Sequence, residues 1–269
     1  ILHPVPNAYF TRDPAVVVGD RVIVCKPHFE ARYRESLIIR TILQRHPHFG
    51  LSPDHFVFGL SPSDDRPFTV EGGDILVLSQ QAVAIGSSQR TRSSTIQLLA
   101  KRLFARGLAL RVYEIPIPAE RTYMHLDTVF TVVAKGIVVA YPDVMRAIRG
   151  VIRYEPIHVP GEGVSAQPSE DERPFFRILG DEFGMDEVTI CETGGNEPHK
   201  YASREQRADG TNMFAIAPKV VVSYDRSEHT NEALEELGVE VLRITGSELV
   251  RGLGGPRCMT MPLRRSSGG

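Results

Sequence analysis

Short apolar runs of four or five residues, separated by tight polar turns, recur along this chain. Ala15–Val18 and Arg21–Val24 flank Gly19-Asp20 and predict an antiparallel hairpin. Leu37, Ile38, Ile39, Ile42 and Leu43 fall within a stretch from Phe29 to Arg45 that predicts a helix, and His55–Leu60 predicts a strand. The same order returns three times. Ile75–Leu78 and Ala82–Ile85 form a second hairpin, followed by a helix near Ser94–Arg106 and a strand at Ala109–Tyr113. Val129–Val133 and Ile137–Tyr141 form a third, turning at Lys135-Gly136. Its helical part continues into a polar connection with proline and glycine, Pro160–Pro174, then a helix at Phe175–Phe183 and a strand at Glu187–Cys191. The fourth pairs Met213–Ala217 with Val220–Tyr224, before a helix at Thr230–Leu237 and a strand at Glu240–Ile244. The pattern is therefore α/β: four ββαβ repeats. Such repeats cannot bury their faces alone and must stack or close into a ring.

The polar clusters repeat with the apolar ones. Asp13, held extended by Pro14, precedes the first hairpin; Glu71-Gly-Gly-Asp74 precedes the second; His125 and Asp127 precede the third. In a ring these equivalent positions face one centre. Met124–Thr128 runs into Val-Phe-Thr-Val-Val and reads as the start of a strand, on which His125 and Asp127 would share a face. A histidine there can move protons near neutral pH, and a carboxylate beside it can hold a cation. Taken alone, the pair reads as a satisfied histidine and a capping aspartate at a strand end. Arg204-Glu205-Gln206 and Asp209-Gly-Thr-Asn212 precede the fourth hairpin.

Cys258 follows the glycine-rich stretch Gly246–Gly255 and sits beside Arg257, where positive charge and open backbone favour a thiolate. A lone cysteine is more often a small buried apolar residue. Cys25, in an apolar strand, and Cys191, at a strand end, are structural on that ground.

Composition narrows the classes. The 269 residues, 42% apolar, suffice for one large domain or two small ones. A net charge of −2 offers no electrostatic case for nucleic acid or an anionic membrane. The three cysteines include no Cys-x-x-Cys pair, which argues against a zinc site or a disulfide framework and fits a cytoplasmic compartment. No apolar run approaches the ~20 residues of a membrane span, and no signal peptide is visible.

Phe-Thr-Arg-Asp-Pro (10–14), Glu-Gly-Gly-Asp (71–74), Met-His-Leu-Asp-Thr (124–128), Arg-Glu-Gln (204–206) and Arg-Cys-Met-Thr-Met-Pro (257–262) stand in the order seen in arginine deiminases. The chain resembles that family over almost its whole length. The resemblance implies a pentein fold, a five-fold pseudosymmetric α/β propeller of ββαβ modules. Four modules are evident within a single catalytic domain over residues 1–269, and the first module and a helical insert before Asn7 are expected to be absent. It also implies hydrolysis of free L-arginine to citrulline and ammonia, as in arginine catabolism, with no cofactor and no metal. A homo-oligomer is left open. Cys258 then resembles the nucleophile, His125 the general acid/base, and Glu71 the carboxylate that orients it. Asp13 and Asp127 resemble the pair that grips the guanidinium, and Arg32 and Arg90 the holders of the substrate α-carboxylate. Asn7 resembles a supporting residue and Phe10 a lining one.

Plainer readings stand beside these. Arg32, Arg34 and Arg90, near helix starts, could be solvated; Asp74 is structural or a substrate contact; Gly72 and Gly73 serve backbone conformation; and Arg204-Glu205-Gln206 is a structural cluster. Arg207 stands where the family commonly has tryptophan, and Leu253 where many members carry arginine. The alternatives are another guanidine enzyme, such as an agmatine deiminase or amidinotransferase, or a truncated chain with a structural or interaction role. An absent module would leave the valine-rich strands Ala15–Val18 and Arg21–Val24 facing a gap.

Overall fold

The first hairpin forms where the valine runs predict it. Strands β1 (Ala15–Val18) and β2 (Arg21–Val24) pair antiparallel. Gly19 turns between them at φ +59, a left-handed conformation open to glycine without a Cβ clash. A 3-10 turn at Glu30–Arg32 leads into helix α1 (Tyr33–Arg45), and β3 (Phe56–Phe58) returns parallel to β2. The computed structural model, which describes residues 4–60 and 68–265, contains three further units of this kind. The second is β4 (Ile75–Val77), β5 (Ala82–Ser87), α2 (Ser93–Ala105) and β6 (Arg111–Pro116). The third opens with β7 (Phe130–Ala134), β8 (Ile137–Ala140) and the short α3 (Pro142–Met145). It inserts β9 (Val151–Val159) and β10 (Gly163–Asp171), then closes with α4 (Phe175–Phe183) and β11 (Thr189–Glu192). Helix α5 (Pro198–Arg207) connects to the fourth: β12 (Phe214–Ala217), β13 (Val220–Tyr224), α6 (Glu228–Glu236) and β14 (Glu240–Ile244).

Each unit builds one sheet in which the last strand lies parallel to the second strand of its hairpin. The strand orders are β1-β2-β3, β10-β9-β6-β5-β4, β11-β8-β7 and β12-β13-β14. Period-two alternation explains how the units join, because successive side chains of a strand point to opposite faces. Val83 and Ile85 pack with Val16, Val18 and Ile23 of the first unit, whereas Ala82 and Ala84 pack with Phe130, Val138 and Ala140 of the third. Val139, next along β8, packs instead with Met213, Val221 and Leu234 of the fourth. Neighbouring units thus share cores, and each such aliphatic side chain contributes about 1.5–3 kcal/mol by leaving water.

Three expectations need correction. The connection Pro160–Pro174 is largely strand: β9 and β10 pair over nine residues and extend the second sheet through Tyr154 opposite Val112. Only Val151, Tyr154 and Ala166 of this hairpin are buried, so its polar outer part carries no apolar run to betray it. Arg204-Glu205-Gln206, which precedes the fourth hairpin, lies in the last turn of α5. Leu126–Thr128 is a 3-10 turn, and the strand starts only at Phe130; the shared-face argument for His125 and Asp127 therefore fails, although both are buried. Finally, β1 and β2 do not face open space. Ala15, Val17, Val22 and Val24 pack with Leu43 and Phe56, while Val16, Val18 and Ile23 face the second unit. Exposed apolar side chains include Leu37, Ile38 and Ile42 of α1 and Ile216 and Leu242 of the last sheet. No helix among the described residues is long and apolar enough to cross a membrane.

Candidate active site

The turns that precede the four hairpins meet one another. Gly72 N–H donates to the Asp13 carbonyl (3.0 Å) and Gly73 N–H to Asp13 Oδ1 (3.2 Å). Leu126 N–H donates to Asp74 Oδ1 (2.9 Å), tying the second turn to the third. Thr211 Oγ1 and Asn212 Nδ2 both donate to the Asp127 carbonyl (3.3 Å each), tying the third to the fourth. The repeat positions do converge, by turn-to-turn hydrogen bonding. Gly72 and Gly73 serve close approach rather than an unusual backbone angle: a Cβ on Gly73 would lie 2.6 Å from His125 Nδ1, and one on Gly72 2.0 Å from the Arg12 carbonyl.

A cavity of about 190 Å³ opens at this convergence. Asn7, Phe10, Asp13, Arg32, Arg90, His125 and Cys258 line it, as do Leu253 and Arg121, on which the sequence reading placed no site role. Glu71, Asp74 and Asp127 are wholly buried behind that surface. Asp74 spends its oxygens on Ser88 Oγ (2.7 Å) and the Leu126 N–H, which favours the structural reading of this residue.

His125 is the electrostatic hub. Its Nε2 lies 2.8 Å from Glu71 Oε2 and its Nδ1 3.6 Å from Asp13 Oδ1. Burial alone would push the imidazole pKa down, but Asp13, the Glu71 hydrogen bond and the charges of Glu71 and Asp74 outweigh it and raise it to about 10. Glu71 responds in kind. Burial would raise its pKa, yet His125, Arg90 and Arg32 bring it down to about 2. The unliganded site therefore holds an imidazolium against a carboxylate. Cys258 is the opposite case: burial, Asp127, Asp13 and Asp209 push its thiol well above the ordinary value, and Arg12 pulls only weakly the other way.

The arginines are differently placed from one another. Arg32 is fully engaged: Nη1 donates to Asp13 Oδ2 (2.7 Å) and Glu71 Oε2 (3.3 Å), and Nε and Nη2 donate to Glu35. A guanidinium of the chain itself thus sits on the carboxylate expected to receive the guanidinium of a substrate. Arg90 donates to Glu71 (3.3 Å) and stacks on Phe29, and its Nε has no partner among the described residues. Asp127 meets Arg257 Nε through Oδ2 (3.3 Å), while its Oδ1 has no partner among the described residues. Arg34 donates outward to the Pro4 carbonyl and is half-buried.

Two groups that position Cys258 were not singled out from the sequence. Asn212, fully buried, accepts the Cys258 N–H (3.0 Å) and the Gly255 N–H (3.1 Å) on Oδ1 while its Nδ2 donates to the Asp127 carbonyl. Its place before the fourth hairpin, matching Asp13, Asp74 and Asp127, was the available signal. Arg12, 1% exposed, takes the Cys258 carbonyl through its own N–H (3.1 Å) and bonds the Arg257 carbonyl and Thr260 with its guanidinium. Cys25 and Cys191 are free and buried, and neither lines this cavity, although Cys25 lies close enough to Asp13, Glu71 and Asp74 for their charges to add to burial in raising its thiol pKa. Glu205 accepts from Thr230, His229 and Gly194, and Gln206 donates to the Thr122 and Thr128 carbonyls on either side of His125. That cluster is a scaffold.

Comparison with known proteins places this arrangement. The crystal structure of dimethylarginine dimethylaminohydrolase from Pseudomonas aeruginosa complexed with citrulline superposes with a TM-score of 0.62 at 20% identity, covering 95% of this chain and 76% of that one. The N-terminal domain of ArgZ, a cyanobacterial arginine dihydrolase, gives 0.68 at 16% identity, covering 99% and 79%. The chain is thus a mixed α/β protein that shares the fold of these structures. The family model for arginine deiminase matches residues 1–265, and the chain belongs to that family. Curated arginine deiminases of Listeria monocytogenes and Bacillus cytotoxicus are 40% and 42% identical over 267 residues, covering 99% and 98% of this chain. The chain spans 63% of the length of each of those relatives.

Proposed function

We propose that this chain is the catalytic domain of an arginine deiminase, hydrolysing free L-arginine to L-citrulline and ammonia in the cytoplasm. Its units would be set about a common axis as in a propeller. The observation that carries the reading is the meeting of Cys258, a Glu71-bound His125 and Asp13 around one small cavity.

The chemistry follows from the charges. A guanidinium is planar, permanently charged and stabilised by delocalisation, so carboxylates fix it best in pairs. Asp13 and the unpartnered Oδ1 of Asp127 supply that pair, and Arg32 Nη1 must yield Asp13 to the substrate. The incoming cation cancels the negative field that holds the Cys258 thiol protonated, so binding favours loss of its proton. The thiolate attacks the central guanidinium carbon, and the imidazolium of His125 gives a proton to the departing nitrogen, which leaves as ammonia. The product of that step is a covalent S-alkylthiouronium. His125, now neutral, takes a proton from water as it attacks; the carbon–sulfur bond breaks, citrulline forms and Cys258 is restored. Arg90, with Arg32 turned from Asp13, holds the α-carboxylate, and Asn7 and Phe10 complete the walls.

A parallel assay of citrulline and ammonia release from L-arginine, and of ammonia release from agmatine, tests the assignment. Strong preference for arginine is expected. Equal or better turnover of agmatine, which has no carboxylate for Arg90, would move the protein to another guanidine-modifying activity.

A further inference from the structure

A second cavity, about 330 Å³, is lined by Arg204, Arg207, Ala208, Arg226 and Val250. Three of its five lining residues are arginines, and they come from two separate segments. Arg204 and Arg207 stand in the last turn of α5, where a cation complements the helix dipole. That accounts for two of them as a solvated helix end, but not for Arg226, which reaches the same space from the β13–α6 connection. Among the described residues no carboxylate pairs with any of the three, and none lines the cavity. Nearby acids are committed elsewhere: Glu205 to Thr230, His229 and Gly194, and Asp225 to the Gly246 N–H. Asp209 is held in a buried position whose Oδ2 no arginine reaches.

Three permanent cations around one hollow repel unless an anion joins them. Each guanidinium presents parallel N–H groups that match two oxygens of a tetrahedral oxyanion, and the volume leaves room for a small organic group beyond it. We propose that this cavity binds a phosphoryl-bearing small anion, and that its occupancy tightens the loop carrying Cys258. All three walls reach that loop or its partners. Gln206, beside Arg207, donates to the Thr122 and Thr128 carbonyls flanking His125. Tyr224, two residues before Arg226, gives its hydroxyl to the Gly254 carbonyl (3.0 Å). The Val250 carbonyl accepts the Leu253 N–H, and Leu253 lines the candidate active site. An anion that draws the three walls together holds Gly252–Cys258 still. The inference stands whether or not arginine is the substrate.

The test is calorimetric titration of the full-length protein with inorganic phosphate and, separately, adenosine monophosphate, at ionic strength held constant with chloride. Saturable binding is expected for at least one, with Arg207→Gln and Arg226→Gln each weakening it at least about tenfold. Both substitutions are of exposed residues, and an unchanged unliganded melting temperature confirms that the variants fold. Tighter binding of the nucleotide assigns a phosphorylated metabolite, and equal binding assigns free phosphate; either supports the site. Binding that survives both substitutions, or that chloride reproduces, overturns it. The coupling is read by iodoacetamide alkylation of Cys258, mapped by peptide mass, which saturating anion should slow about threefold or more by suppressing local opening. Binding with no change in that rate refutes the coupling.

Discussion

Replacing Glu71 with glutamine tests the electrostatic core of the site, because it removes one charge and little volume. Glu71 Oε2 lies 2.8 Å from His125 Nε2, and both groups are buried. A hydrogen bond to a charged partner contributes about 1.5–3 kcal/mol, which at 1.36 kcal/mol per decade of proton affinity corresponds to a pKa change of about 1–2. His125, raised to about 10 by its surroundings, should therefore fall by about that amount and remain above its ordinary value, since Asp13 and Asp74 still face it. The assay is an NMR titration of the His125 ring protons in the wild type and in Glu71→Gln. Arg32 and Arg90, which share Glu71, lose a partner but keep Asp13, Glu35 and Phe29, so the fold should survive. Citrulline formation should fall because the proton donor is mis-oriented. An unmoved His125 titration would refute the claim that Glu71 sets the protonation of this histidine.

Further outcomes follow from the same geometry. Asn212→Ala strands the Cys258 and Gly255 N–H groups and leaves the Asp127 carbonyl with Thr211 as its side-chain donor, so chemical denaturation should show a loss of about 2–5 kcal/mol; a loss below about 1 kcal/mol would contradict its positioning role. Thermal stability should decline from mildly acidic to alkaline pH. The raised His125 contributes stability that is full below about 6.5 and lost as pH rises through about 10, and Asp209, raised to about 7 by burial and Asp127, contributes stability present below about 3.8 and lost as pH rises through about 7. Asp209→Asn should flatten the part of that decline below about pH 7, and an unchanged profile would reject the Asp209 contribution. Arg90→Gln should lower kcat/KM for arginine on the order of a hundredfold while leaving the already poor turnover of agmatine unchanged; equal losses on both would show that Arg90 does not read the carboxylate.

Much of this site was legible in the sequence because repetition does what single motifs cannot. Asp13, Glu71 and His125 are far apart along the chain, yet each precedes a valine-rich hairpin, and equivalent positions of stacked units meet. The elements with strong apolar periodicity, such as Phe175–Phe183 and Glu240–Ile244, fall where the pattern puts them. The β9–β10 hairpin did not show, because a strand pair with few buried side chains lacks the alternation that marks strands. The turn at Leu126–Thr128 was masked by the apolar run behind it, and burial rather than strand pleating brings His125 and Asp127 into the site. Arg32 shows a different limit. Its neighbour Glu35 is one helical turn away and could be foreseen, but its bond to Asp13 depends on how α1 packs against the first hairpin. Asn212 carried no signal of its own beyond its repeat position.

The most direct test of the account is to mix the full-length protein with L-arginine, quench in acid within the first turnovers and map the cysteine peptides by mass spectrometry. The Cys258 peptide alone should gain the mass of arginine less ammonia, the adduct should accumulate when His125 is replaced by a residue unable to activate water but the first step still proceeds slowly, and Cys258→Ser should abolish it. An adduct on Cys25 or Cys191 with none on Cys258, or citrulline formation that persists in Cys258→Ser, would contradict it.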